Sequence, residues 1–200
     1  MEKTKINNPN KWVTRDFVTL GIFYVLYFVI YTLSAPLSMS VVGNLFIHGT
    51  CGILWGITFP LLCTKVNKPG VVFTYTFLIG AIQLMNFWGT GLFIMLGAVI
   101  AEVIWNILNK KKFITIAICH VIVVAVMYLG MTLPLMILSS TFLNYIPEYS
   151  RALFEEVYNL LNTKTYFFYI GLTAAVVGAS LGALLGKILL KKHFVKAGII

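Results

Sequence analysis

Lys110–Leu138 reads KKKFITIAICHVIVVAVMYLGMTLPLMIL, three lysines followed by an apolar run from Phe113 to Leu138 whose one ionisable residue is His120. A bilayer-crossing helix needs roughly 17–25 mostly apolar residues, and a basic cluster at one end marks the cytoplasmic side. The stretch therefore reads as a membrane span with its start inside. Working outward in both directions finds five more such runs, approximately Trp12 to Ala35, Val41 to Leu62, Gly70 to Asn86, Leu92 to Leu108 and Tyr166 to Leu190.

The predicted fold class is an all-α membrane protein of six transmembrane helices with both termini cytoplasmic. Residues 1–11 form a polar cytoplasmic lead and 12–200 a single six-helix membrane domain. At 60% hydrophobic and 10% charged residues, with mean hydropathy +0.92, a soluble fold is excluded. The first run exceeds the 7–15-residue core of a removable signal peptide.

The cations give the orientation. Lys3, Lys5, Lys11 and Arg15 precede the first run, Lys65 and Lys68 follow the second, and Lys110, Lys111 and Lys112 follow the fourth. Lys187, Lys191, Lys192 and Lys196 close the chain, which leaves only Arg151 and Lys164 outside, beside Glu148, Glu155 and Glu156. The net charge of +9 belongs to this asymmetry and to anionic lipid headgroups. No soluble basic domain carries it, so nucleic acid is not an expected partner.

Local signals place the connections. Thr14 reads as a helix cap with Asp16 in the first turn, and Asn67-Lys68-Pro69-Gly70 is a turn. Trp88-Gly89-Thr90-Gly91 reads as a tight outer hairpin. Pro147–Asn162, PEYSRALFEEVYNLLN, places Leu153, Phe154, Val157, Leu160 and Leu161 at helical spacing. It is predicted as an amphipathic helix on the outer face, either a surface anchor or a cover over an outward cavity.

No GxSxG, HExxH or Walker loop occurs, and Cys51, Cys63 and Cys119 have no metal-type spacing. Neither a catalytic residue, a metal nor a cofactor is expected. Two ionisable side chains lie inside spans, where they are costly. Glu102 and His120 each sit roughly 10–12 Å from the inner boundary by helical rise. Adjacent antiparallel helices could bring them together, either as a packing pair or as a proton-coupled or catalytic dyad; the third reading is that they do not meet.

Asn44 and His48, one turn apart in the outer half of the second run, are candidate substrate contacts. Polar and aromatic residues gather at the outer boundary, and Asn86, Trp88, Thr90, Tyr128, Thr132, Tyr166 and Tyr169 are the further candidates. Such aromatics otherwise form an interface belt. A pocket of this composition suits a small, flat or hydroxylated solute held by stacking and a few hydrogen bonds. In the last span Gly171, Ala174, Gly178, Gly182 and Gly186 share a face. Small residues allow close helix approach in lipid, inside the bundle or against a partner.

The chain resembles the substrate-binding S components of energy-coupling factor (ECF) transporters, most closely the branch called MptE or Trep-Strep. The resemblance covers essentially the whole length. It is carried by Thr14-Arg15-Asp16-Phe17 leading into Leu20-Gly21-Ile22-Phe23, by the glycine-rich central hairpin, and by the ending from Gly178 to Lys187 continuing into Leu190-Lys191-Lys192-His193-Phe194 and Lys196-Ala197-Gly198-Ile199.

The resemblance implies a six-helix S-component bundle that captures a vitamin-like micronutrient from outside. It implies docking on a transmembrane T component that carries two cytoplasmic ATPases. Other S components dock through an alanine-x-x-x-alanine patch on the first helix. Here Gly21 and Val25 stand in that stretch, and Gly178, Gly182 and Gly186 are the further docking candidates. The competing readings are an intramembrane enzyme or proton-coupled protein built on Glu102 and His120, and a small structural or lipid-binding membrane protein.

Overall fold

A computed structural model describes residues 10–110 and 112–194 of the chain, with side chains through Lys192. The basic residues Lys3, Lys5, Lys111 and Lys196, the Asn7-Asn8-Pro9 lead and the terminal Ala197-Gly198-Ile199 lie outside the described residues. Among the described residues all regular structure is helical. The helices are α1 (Thr14–Ser34), α2 (Val41–Lys65), α3 (Val71–Asn86), α4 (Trp88–Ile107), α5 (Phe113–Ile137), α6 (Ser139–Tyr145), α7 (Glu148–Thr163) and α8 (Tyr166–Leu189). A 3₁₀ turn, Ala35–Met39, joins α1 to α2, and a π turn, Leu190–Phe194, extends α8.

Five of these helices are long and apolar enough to cross a membrane: α1, α2, α4, α5 and α8, each of 20 residues or more. The third run differs from the other five. Helix α3 has 16 residues, about 24 Å at 1.5 Å per residue, short of a ~30 Å hydrocarbon core. A single extended residue, Phe87, separates α3 from α4. Trp88 and Thr90 consequently open α4, where a hairpin loop was expected. The two helices pack face to face, with Gly80 set against Gly91.

The tightest seam is between α2 and α8. A side chain at Gly178 would collide with the carbonyl of Gly49, one at Gly182 with the carbonyl of Gly52, and one at Gly186 with the carbonyl of Gly56. Glycine faces glycine over three successive contacts, so backbone meets backbone. This is the packing that small residues permit where lipid removes the hydrophobic drive for association. Gly178, Gly182 and Gly186 are thus buried inside the bundle against α2, the internal packing that was one of the two readings of this face. Gly21 is open, with nothing within 4 Å of the place a Cβ would take, and Val25 is exposed on the same helix.

One end of the bundle is tied by polar contacts centred on the α2–α3 turn. Lys68 Nζ lies 2.5 Å from Asp16 Oδ2 and also donates to the Lys11 carbonyl. Trp12 Nε1 donates to Pro69 O and Trp105 Nε1 to Lys68 O. The helix start at α1 is closed by Asp16, which accepts from Val13 N at 2.8 Å. Thr14 is therefore the first helical residue and not the cap.

The amphipathic segment folds as read. Helix α7 buries Val157 and Leu161 in a second apolar cluster with Leu45, Phe87, Leu135, Phe142 and Ile146. Arg151 Nε ties it back to the Leu143 carbonyl.

Candidate functional site

Helix α1 carries Tyr24, Tyr27 and Tyr31 at spacings that return to one face of a helix, and α2 carries Trp55 and Phe59 one turn apart. Where these faces meet Tyr75 of α3 and His120 of α5, they enclose a chamber lined by Tyr27, Trp55, Phe59, Tyr75, His120, Val123, Val124 and Met127. Its free volume is about 10 Å³, the room of one water.

The walls are ring on ring. Tyr27 stacks on Trp55 with centroids 4.7 Å apart and 24° between planes, and stands edge-on to Tyr75 at 6.3 Å. Phe59 lies 5.8 Å from Tyr75 and 5.4 Å from His120. These offset and edge-to-face arrangements are the favoured geometries of aromatic pairs.

Polar atoms enter this apolar interior along α2. Asn44 Oδ1, His48 Nδ1 and Trp55 Nε1 are buried without a hydrogen-bond partner, as is Thr76 Oγ1 on α3. Four residues from Asn44 to His48 make about one turn, and eleven from Asn44 to Trp55 about three, so all three side chains share one helix face. Buried polar groups ordinarily find partners, and each exception calls for an explanation. Asn44 Nδ2 reaches Ser38 O at 3.4 Å, and the His48 ring stands edge-on to Tyr128 at 5.9 Å.

Glu102 and His120 have separate hydrogen-bond partners. His120 Nε2 is 2.9 Å from the carbonyl of Gly52; a carbonyl can only accept, so Nε2 carries the hydrogen and Nδ1 the lone pair. Glu102 turns the other way. Its two oxygens accept from Gly70 N at 2.6 Å and Phe73 N at 2.9 Å, and Asn106 Nδ2 donates at 2.5 Å. The acid closes the start of α3, whose free N–H groups and positive dipole end favour a carboxylate. The imidazole sits on the α2 side of its own helix, and the two share no hydrogen bond.

The other sequence candidates divide. Asn44, His48, Thr90, Tyr128 and Thr132 are buried; Tyr128 donates to Phe168 O and Thr132 to Tyr128 O. Trp88, Tyr166 and Tyr169 are exposed, and Asn86, which donates to Gln83, is exposed too. None of these nine residues lines the chamber.

Tyr27, Trp55, Phe59 and Tyr75 were not singled out from the sequence. Their signal was present as aromatic and hydroxyl-bearing residues at helical spacing inside apolar runs, not at their ends. Among the described residues no three His, Cys, Asp or Glu side chains converge as a metal site.

A family model described as a hypothetical bacterial integral membrane protein (Trep_Strep) matches residues 14–196. No curated protein and no solved structure matches the chain.

Proposed function

The chain belongs to the Trep_Strep family of bacterial integral membrane proteins, and from that premise we propose that it is the substrate-binding subunit of an ECF-type importer. In this reading it captures a vitamin-like micronutrient outside the cell. It then docks on a transmembrane T component whose two cytoplasmic ATPases supply the energy.

The observation that carries the reading is the aromatic chamber within a bundle of apolar helices, one of whose lining residues, Trp55, has an unpaired N–H. A binding subunit needs such an interior. An enzyme would need a nucleophile, acid or base aimed into it. Glu102 is taken up by the start of α3 and is not paired with His120, which weighs against the dyad that the enzyme reading was built on. The proposed topology has six crossings with both termini cytoplasmic, α3 crossing as a short helix. The cations Lys68, Lys110 and Lys187 then share the inner side. Gly21 and Val25 on the open face of α1 are the proposed docking residues.

The test is co-expression of the full chain with a T component and ATPase pair from the same bacterium, followed by purification on the chain. Recovery of a stoichiometric complex supports the reading. A chain that purifies folded and alone, with no ATP-dependent uptake in cells carrying all subunits, overturns it.

A further inference from the structure

Trp55 sets itself apart from the indoles of Trp12 and Trp105. Trp12 Nε1 has the Pro69 carbonyl at 2.9 Å and Trp105 Nε1 the Lys68 carbonyl at 3.2 Å. Trp55 is 3% exposed, lines the chamber, and leaves its N–H without an acceptor. Another wall of the chamber offers the complementary group. His120 spends its Nε2–H on Gly52, so the Nδ1 lone pair remains free to accept. Trp55, with an unused donor, and His120, with an unused acceptor, therefore both line the same aromatic cavity.

The remaining walls define what fits between them. Tyr27, Phe59 and Tyr75 present ring faces and edges, and Met127 a polarizable thioether, while no Asp, Glu, Lys or Arg lines the space. A charged group entering here would lose its hydration with no counter-charge to replace it. A planar ring would trade one stacking contact for another.

We propose that the chamber between α1, α2, α3 and α5 binds a small, planar, uncharged heteroaromatic molecule. A ring acceptor on it takes the Trp55 Nε1–H, and a ring N–H donates to His120 Nδ1. This rests on the reading of the chain as a binding subunit and names the substrate class of that site.

In the arrangement described, Tyr27 holds the ligand's place by stacking on Trp55. Helix α1 is the wall best able to give way. It packs chiefly on α2 and reaches α3 through the hydrogen bond from Tyr24 Oη to Leu78 O. Its start is pinned separately by Asp16 and Lys68. Entry of a ring requires Tyr27 to leave its stack on Trp55.

The test uses the full chain in lipid nanodiscs with ¹⁵N-labelled tryptophan indoles. The probes are benzimidazole, which is neutral and carries both a ring acceptor and a ring N–H, and benzimidazole-5-carboxylate, its anionic counterpart. The Trp55 indole resonance is identified by its loss in Trp55→Phe. If that variant does not fold, it is identified by elimination with Trp12→Phe, Trp88→Phe and Trp105→Phe.

Benzimidazole is expected to move the Trp55 N–H downfield in a saturable way and leave Trp88 unmoved. The carboxylate, and benzimidazole on His120→Phe, should each bind about tenfold more weakly or worse, the scale of one lost polar contact. An unmoved Trp55 resonance at millimolar benzimidazole, or equal binding of the carboxylate, overturns the proposal. Failure here with a stable importer complex leaves the transport reading standing. Binding here with no complex removes the transport reading and keeps the site.

Discussion

The carboxylate of Glu102, carried on α4, accepts the backbone N–H of Gly70 at 2.6 Å, where α3 begins. A second bond from Phe73 N at 2.9 Å completes the cap. Gly70 has φ 90°, the left-handed conformation that glycine adopts without steric cost, and no side chain of its own to close the helix. The cap is therefore supplied from a neighbouring helix, and an acid inside a span is explained without chemistry.

Removing the cap should loosen α3. Glu102→Ala leaves two N–H groups without their acceptor and should cost about 1–2 kcal/mol, with Glu102→Gln costing less because one acceptor oxygen remains. Thermal unfolding of the purified chain in detergent would measure both. An alanine variant as stable as the wild type would count against the capping role.

The α2–α8 seam should tolerate no side chains. Gly56→Ala and Gly182→Ala place a Cβ against opposing backbone, and prying the helices apart should cost about 1–3 kcal/mol. Gly21→Ala, with open space around it, should be neutral within ~0.5 kcal/mol. The comparison is read from melting temperatures and from the monodisperse fraction on size exclusion.

Asp16 and Lys68 should prove energetically coupled. The side chains are 5% and 18% exposed, so removing either one strands the other in a poorly hydrated site. Asp16→Asn and Lys68→Met should each destabilise by about 1–3 kcal/mol, and the double variant by less than their sum. Simple additivity in that cycle would mean that the contact contributes nothing.

Single cysteines can read the proposed topology against a quiet background, because Cys51, Cys63 and Cys119 are all buried. Tyr149→Cys, at a site 90% exposed on α7, should react in intact cells with a membrane-impermeant maleimide. Ile107→Cys, 76% exposed at the end of α4, should react only after permeabilisation. The opposite pattern would invert the orientation.

Much of the fold was legible along the chain because spanning is a local property. The runs at Val41, Phe113 and Tyr166 each became a helix within a few residues of the sequence bounds. In α7 the apolar spacing identified Val157 and Leu161, which are the residues it buries. The start of α4 was misplaced because glycines at 89 and 91 signal a turn in isolation. Here Gly91 lets α4 lie close against α3, set against Gly80.

The sequence by itself determined that this chain is a helical membrane protein, since hydropathy over some twenty residues decides partition into lipid whatever the neighbours do. Only the tertiary structure decided what the polar residues are for. Which way Glu102, His120 and Trp55 point depends on the rotation of each helix and on its partner. Those are settled by packing between segments far apart in the chain, at the α2–α8 glycines above all. Packing of α4 on α3 sent Glu102 to Gly70, packing of α5 on α2 sent His120 to Gly52, and the Trp55 N–H was left buried with no acceptor.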